Sequence, residues 1–415
     1  MGTPDDTIIT GAFGGAKDQL SFDNIAGALD ALNGTNGKAG YWQNYIQEED
    51  FEALKTAGIN ALRIPIGYWA YVDSSNSSSM NGQKYVQGAA DIMDQLIIWA
   101  RKNGLKVWID LHGSAGSQNG QAHSGQTIND ISQLAFQADN NQELTTQALV
   151  KIAERHATLA NADVVVGVEL TNEPCTDAQY PGSKCANKDA QLHSWAQDAF
   201  NQTRAASKNP NLEIVMHDAF MQPKAWVTEG TEFNKGTVQQ WAIDTHMYQL
   251  YDDTSNAMDQ DQHIQVVCND WANQLKVGKA VMPTYVGEFS ALTNICAYNN
   301  GTTIKMNGNS CNPQDPSSCV CISSDFSVWN DGLKKAVRMF LDVQIETFEA
   351  YASGYFIWSW KAGGGWGLKN LIADPEFSDV ITTRKYPGQC SNATTPATRK
   401  RVAVRGSSDA RADLS

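Results

Sequence analysis

From about residue 45 the chain alternates between two hydrophobic rhythms. Apolar residues three and four apart predict amphipathic helices, and short near-continuous apolar runs predict strands buried on both faces. Phe51 and Leu54 lie on a short helix that stops at Gly58, and ALRIPIG at 61–67 follows as a strand. Ala89, Ile92, Met93, Leu96 and Ala100 share one helical face; Arg101 and Lys102 suit its last turn and Gly104 its left-handed stop. KVWIDLHG at 106–113 is the next strand. A helix near 142–160 precedes VVVGVELTNEP at 164–174, and a stripe of Leu192, Trp195, Ala196, Ala199 and Phe200 precedes LEIVMHDAF at 212–220. WAIDTHMY at 241–248, PTYVGEFS at 283–290 and GYFIWSWK at 354–361 bring the strands to seven. The last follows a helix marked by Leu333, Ala336, Val337, Phe340, Leu341, Phe348 and Tyr351. Alternation without a break in composition predicts a single-domain α/β protein, a (β/α)8 TIM barrel over residues 1–393. Residues 394–415 carry no periodicity and are expected to be a disordered tail, and 296–328 is a Cys/Asn/Ser-rich insertion.

Composition narrows the class. Charged residues are only 18% of the 415, and the net charge of −14 argues against a nucleic-acid partner. No apolar run reaches the length of a transmembrane segment. Twelve Trp and 13 Tyr suit a protein that stacks rings under sugar faces, although a large core also absorbs them. The eight cysteines lack zinc-type spacing, so disulfides and an oxidising, extracellular or cell-wall location are expected. Sequons at Asn33, Asn76, Asn201, Asn300 and Asn392 agree with a secreted glycoprotein, while MGTPDDTIIT has neither the basic nor the apolar region of a signal peptide.

The polar residues fall non-randomly. Arg63, His112, Asn172, Glu173, Asp218, His246, Tyr248, Glu288 and Trp358 are expected at or just beyond the C-terminal ends of different strands, the face on which such barrels build their sites. Glu173 and Glu288 could supply the two carboxylates that glycoside hydrolysis requires, one to protonate the leaving oxygen and one to meet the oxocarbenium-like centre, whereas a single Glu more often caps a helix or pairs with an Arg. Arg63, on a buried strand, needs a carboxylate, and Glu288 is the expected partner. His112 and His246 read as substrate contacts, without the spacing of metal ligands. Trp358 and Trp360 could each stack on sugar or pack in the rim. GGG at 363–365 lacks the Lys and helix of a phosphate loop, and no G-x-S-x-G is present.

The runs RIPIGYWAY, VWIDLHGSAGSQNG, ELTNEP, MHDAF, THMYQLY, GEFS, FIWSWK and YPGQC closely resemble the fungal exo-β-1,3-glucanases of glycoside hydrolase family 5, over roughly residues 42–390. The resemblance implies a retaining double displacement with Glu173 as general acid/base and Glu288 as nucleophile. Arg63, His112, Asn172, His246, Tyr248 and Trp358 would bind the non-reducing glucose, Asn172 through its 2-hydroxyl. It implies disulfides Cys268–Cys390 and Cys175–Cys185 and a link from Cys296 into the 311–321 cluster. No metal or organic cofactor is expected, the partner is a β-glucan or oligosaccharide, and the protein is expected to be a monomer. Three departures stand out. The family's first barrel strand, with Gly-Gly-Trp and a following Glu-Pro, has no match in residues 1–40, so that strand is truncated or replaced, for example by TIITGAF at 7–13. Gln121 and Tyr251 stand where the family has an entrance pair of Phe residues, and the insertion around 300–320 is unusually rich in Cys. The alternatives are a β-1,6- or β-1,4-glucanase of the same clan, a transglycosylase, and a catalytically impaired glucan-binding barrel.

Overall fold

A computed structural model of the chain describes residues 16–35, 38–80, 82–179, 185–236, 240–306, 311, 315, 318–323 and 325–392. The TIITGAF segment and the tail from 394 lie outside them. The chain divides into two compact units, one reaching to Asp244 and including Val281–Pro283, the other comprising Thr245–Ala280 and the chain from Thr284.

In the first unit helix α1 (Glu48–Thr56) leads into strand β1 (Ala61–Gly67), and α2 (Ala89–Lys102) into β2 (Lys106–Gly113). Then come α3 (Asn141–His156), β3 (Val165–Glu169), α4 (Asp189–Ala206), β4 (Glu213–His217), α5 (Val227–Phe233) and β5 (Trp241–Met247), the last continuing into the second unit. Strands β1 to β5 pair parallel in chain order. Their continuous apolar runs follow from burial on both faces: in β2 every residue after Lys106 is buried. The helices cover the strands with one face each. That of α2 buries Ala89, Ala90, Met93, Leu96, Ile97 and Ala100, and each fully buried large aliphatic chain contributes about 1.5–3 kcal/mol. Its end is the one expected, with Gly104 at φ +68° and its N–H on the Arg101 carbonyl.

Ahead of α1, no strand among the described residues adds to the open side of β1. Two short helices (Gln19–Asp23 and Ala28–Asn33) take this part of the chain instead. Asp18 caps the first by accepting from Ser21 N–H, and its other oxygen accepts from Thr127 N–H at 2.6 Å. Leu20 N–H bonds the Gly125 carbonyl at 2.9 Å and Asp23 accepts from Val86 N–H at 2.9 Å. This segment is thereby tied to the long loop after β2 and to the loop between β1 and α2.

In the second unit α6 (Ala272–Lys279) precedes β6 (Thr284–Phe289), and the three short strands β7 (Ile295–Ala297), β8 (Thr303–Lys305) and β9 (Val320–Cys321) form an antiparallel sheet in the Cys-rich insertion. Helix α7 (Asp331–Tyr351), capped by Asn330, leads to β10 (Gly354–Ile357), which pairs parallel with β6. Repeated helix and parallel strand, with seven parallel strands among the described residues, make this a (β/α)8 fold. The disulfides are Cys175–Cys185 in the first unit and Cys268–Cys390, Cys296–Cys321 and Cys311–Cys319 in the second. They include every pairing the resemblance implied and define the link within the 311–321 cluster.

Candidate active site

In the first unit the site grows from the ends of β2 and β3. Strand β3 stops at Glu169, so Thr171, Asn172 and Glu173 lie on the turn beyond it. Glu173 adopts φ +45°, a left-handed conformation that costs a non-glycine residue about 1–2 kcal/mol. Side-chain amides from the loop after β2 hold this turn. Gln118 donates to the carbonyls of His112 (2.8 Å) and Asn172 (2.9 Å), and Asn119 donates to the Glu173 carbonyl (3.0 Å). The Cys175–Cys185 bridge and Asn187, which donates to the carbonyls of Gln118 and Cys175, close the turn from behind.

Arg63 corrects the expected strand-end position: it is the third residue of β1, and its side chain is almost wholly buried. Its guanidinium bonds Glu169 at 2.8 Å and lies 3.2 Å from Asp110 and 3.6 Å from Asp244. It also donates to Asn172 Oδ1 at 2.7 Å. That bond orients the Asn172 amide and leaves its buried Nδ2 with no hydrogen-bond partner among the described residues. A buried unpaired donor is costly, and a bound hydroxyl would relieve it. One guanidinium faces three buried carboxyls, so all three cannot be ionised cheaply. Burial pushes Glu169 well above the usual carboxylate range, with Asp110 and Asp244 adding to the rise and Arg63 opposing it.

His112, at the end of β2, binds Asp110 through Nδ1 at 2.7 Å. Burial lowers its pKa against the opposing pull of Asp110. A neutral ring with Nδ1–H on the carboxylate leaves Nε2 as an acceptor. Two further histidines flank Glu173. His123 Nε2 lies 3.4 Å from Glu173 Oε2, and a ring nitrogen of His217 lies within 4.8 Å of a Glu173 carboxylate oxygen. His217 accepts the Ala219 N–H at Nδ1.

In the second unit the chemistry gathers on Glu288, near the end of β6. Tyr248 donates its hydroxyl to Glu288 Oε2 at 2.9 Å, and His246 Nδ1 lies 3.6 Å from the same oxygen. Trp358 directly follows β10, and its backbone N–H bonds the Phe289 carbonyl at 2.8 Å, which sets it beside the strand that carries Glu288. Tyr251 stacks with Trp366 at 6.4 Å between ring centroids, and Tyr248 lies 6.0 Å from the same indole. Among the described residues Cys296, Cys311 and Cys321 bring sulfurs within 4.8 Å of one another, but each is oxidised in a disulfide and offers no thiolate to a metal.

The structure thus connects Arg63 with Asn172 and joins Glu288 with His246 and Tyr248. Glu169, Asp110, Asp244, His123 and His217 are neighbours that sequence reading did not single out. Asp110 and Glu169 are direct cross-strand partners, as are His217 and Asp244, so strand register would have found them.

The family model for Cellulase (glycosyl hydrolase family 5) matches residues 23–312. The chain belongs to glycosyl hydrolase family 5. This family 5 chain is 34% identical over 394 residues to a probable glucan 1,3-beta-glucosidase A from Aspergillus terreus, an alignment covering 91% of the chain and 84% of the relative. It is 33% identical to the glucan 1,3-beta-glucosidase I/II of Saccharomyces cerevisiae over 84% of the chain and 75% of the relative. In fold it resembles a rutinosidase crystal structure from Aspergillus niger, with a TM-score of 0.63 at 18% identity over 90% of the chain and 93% of that structure.

Proposed function

We propose that this family 5 enzyme releases glucose from the non-reducing ends of β-1,3-glucan by a retaining double displacement. The observation that carries the reading is the pair of relatives named glucan 1,3-beta-glucosidase, 33–34% identical over more than four-fifths of the chain. Glu288 is the nucleophile. The hydroxyl of Tyr248 stabilises its negative charge, and His246 stands close to the same oxygen. Glu173 is the acid/base, on a strained turn whose backbone is held by the Gln118 and Asn119 amides.

In the first step Glu288 attacks the anomeric carbon while Glu173 gives its proton to the leaving oxygen. In the second, Glu173 takes a proton from water, whose oxygen displaces Glu288. Asn172 Nδ2, oriented by Arg63, donates to the 2-hydroxyl, where hydrogen bonds tighten in the transition state. His112 offers Nε2 to a sugar hydroxyl, and Trp358 supplies a stacking face. Arg63 serves the substrate through Asn172. The enzyme acts as a monomer outside the cell, where its four disulfides persist.

Glucose release from laminarin tests the reading. Wild type releases glucose, and Glu173→Ala and Glu288→Ala lose at least about a thousandfold in kcat/KM, the scale of losing a principal catalytic group. Wild type that binds laminarin without releasing glucose, or that prefers pustulan or cello-oligosaccharides, would overturn it.

A further inference from the structure

His123 stands at the acid/base with no role in the double displacement as written. It occupies a single tight turn, Ala122–Ser124, in the loop after β2. Its Nε2 lies 3.4 Å from Glu173 Oε2, and the two side chains are 33% and 17% exposed, so the pair is partly buried yet reaches solvent, with His123 Nδ1 on the buried side. The loop is not a loose surface strand. Ser124 Oγ donates to the Gln121 carbonyl at 2.7 Å, Gly125 turns at φ +90°, and the Gly125 carbonyl and Thr127 N–H are bonded to Leu20 and Asp18. The short helix Gln19–Asp23 and its cap Asp18 therefore hold the loop that carries His123.

Other titratable groups surround the pair. The His112 ring is centred 5.2 Å from that of His123 and is backed by Asp110, which lies 3.2 Å from Arg63. On β4, His217 lies within 4.8 Å of the Glu173 carboxylate. Burial shifts His112 towards its neutral form, against the pull of Asp110.

We propose that His123 is a positioning residue for the acid/base: its Nε2–H binds Glu173 Oε2, so that the carboxyl proton is carried on Oε1 and presented from there to the leaving oxygen. The inference rests on the acid/base reading of Glu173. As the glycosidic bond breaks, its electron pair stays with the leaving oxygen, which takes the proton from Oε1. The carboxylate formed keeps the hydrogen bond from His123, now charge-assisted and stronger than before. In the second step Oε1 recovers a proton from water, and His123 keeps its own throughout. The bond therefore lowers the barrier for leaving groups that must be protonated and does little for those that need no proton. A donor to the charged form also eases ionisation of the carboxyl, so its removal should carry the alkaline limb of activity to higher pH.

The test compares kcat/KM against pH for wild type, His123→Ala, His123→Gln and Glu173→Gln. The substrates are a β-1,3-gluco-oligosaccharide and 2,4-dinitrophenyl β-glucoside, whose leaving group needs no proton. His123→Ala should lose about tenfold on the oligosaccharide, the size of one hydrogen bond to a charged group, and its alkaline limb should rise by at least about half a pH unit. The loss on the aryl glucoside should be several-fold smaller. His123→Gln, which keeps an N–H donor, should recover most of the rate. Equal losses on both substrates, an unmoved limb or no rescue by Gln would overturn the proposal. Glu173→Gln separates the two readings. If it keeps oligosaccharide hydrolysis, the acid/base assignment has failed and His123 falls with it. If it loses that activity while His123→Ala shows no substrate difference, the role of His123 alone is wrong.

Discussion

At the scale of single residues, the most consequential group is Arg63, which acts on the site from inside the barrel. Its bond to Asn172 Oδ1 leaves the amide N–H groups for substrate, while Glu169, Asp110 and Asp244 share its charge. Burial, with Asp110 and Asp244 beside it, raises the Glu169 carboxyl well above its ordinary range against the pull of Arg63. The sign follows: a carboxyl whose folded pKa is raised contributes stability below its ordinary value of 4.5, and that contribution is lost as pH rises towards the folded value. Glu169→Gln mimics the protonated group. Thermal unfolding should find it close to wild type at acid pH and relatively more stable as pH rises. Glu169→Ala should cost about 3 kcal/mol by leaving the guanidinium short of a partner and a void beside it. A Gln variant as damaged as the Ala variant would mean that Glu169 is ionised.

Glu173, Glu288 and Asn172 stood out as candidates in the sequence because their motifs follow strong strands. The partners of Arg63 did not, because which carboxyl faces a buried guanidinium depends on register, and Asp110 and Glu169 become neighbours only once β2 and β3 pair. His123 carried no signal at all, since a lone histidine in a polar loop has no periodicity to betray it.

At the scale of elements, the strands stood out because burial on both faces leaves uninterrupted apolar runs. β1 and β2 have the bounds the pattern gave, Ala61–Gly67 and Lys106–Gly113. Elsewhere the pattern ran past the strand. β3 ends at Glu169 and β10 at Ile357, because the residues that follow still alternate in polarity while their backbones turn into the site. The short helices at Gln19–Asp23 and Ala28–Asn33 escaped notice because they span barely one or two turns, too few for a helical period to repeat.

Helix α7 shows an element doing two jobs. One face buries Leu333, Val337, Phe340, Leu341 and Phe348. The buried Arg338 on the same helix binds Asp342 at 2.8 Å and Asp379 at 3.0 Å and donates to the carbonyls of Glu376 and Thr383. Asp342 in turn accepts the N–H groups of Lys385 and Tyr386. This network fastens the chain from Glu376 to Tyr386 to the helix. Arg338→Ala should lower stability by about 3–5 kcal/mol in denaturant titration, the cost of stranding a buried charge. Proteolysis should cut first within 376–386. A loss under 1 kcal/mol would show the network to be dispensable.

At the scale of the whole molecule, the alternation of helix and parallel strand fits a family 5 (β/α)8 enzyme, and the family model and relatives establish the membership. The proposed acid/base lies on the turn after β3 and the proposed nucleophile near the end of β6, and the proposed reaction depends on their working as a retaining pair. The stereochemistry of the first product reports this directly. Proton NMR of a fresh β-1,3-gluco-oligosaccharide digest should show β-glucose appearing first, with the α anomer growing only as fast as mutarotation allows. Initial release of α-glucose would mean inversion in a single displacement and would contradict the assignment of Glu288 as a nucleophile.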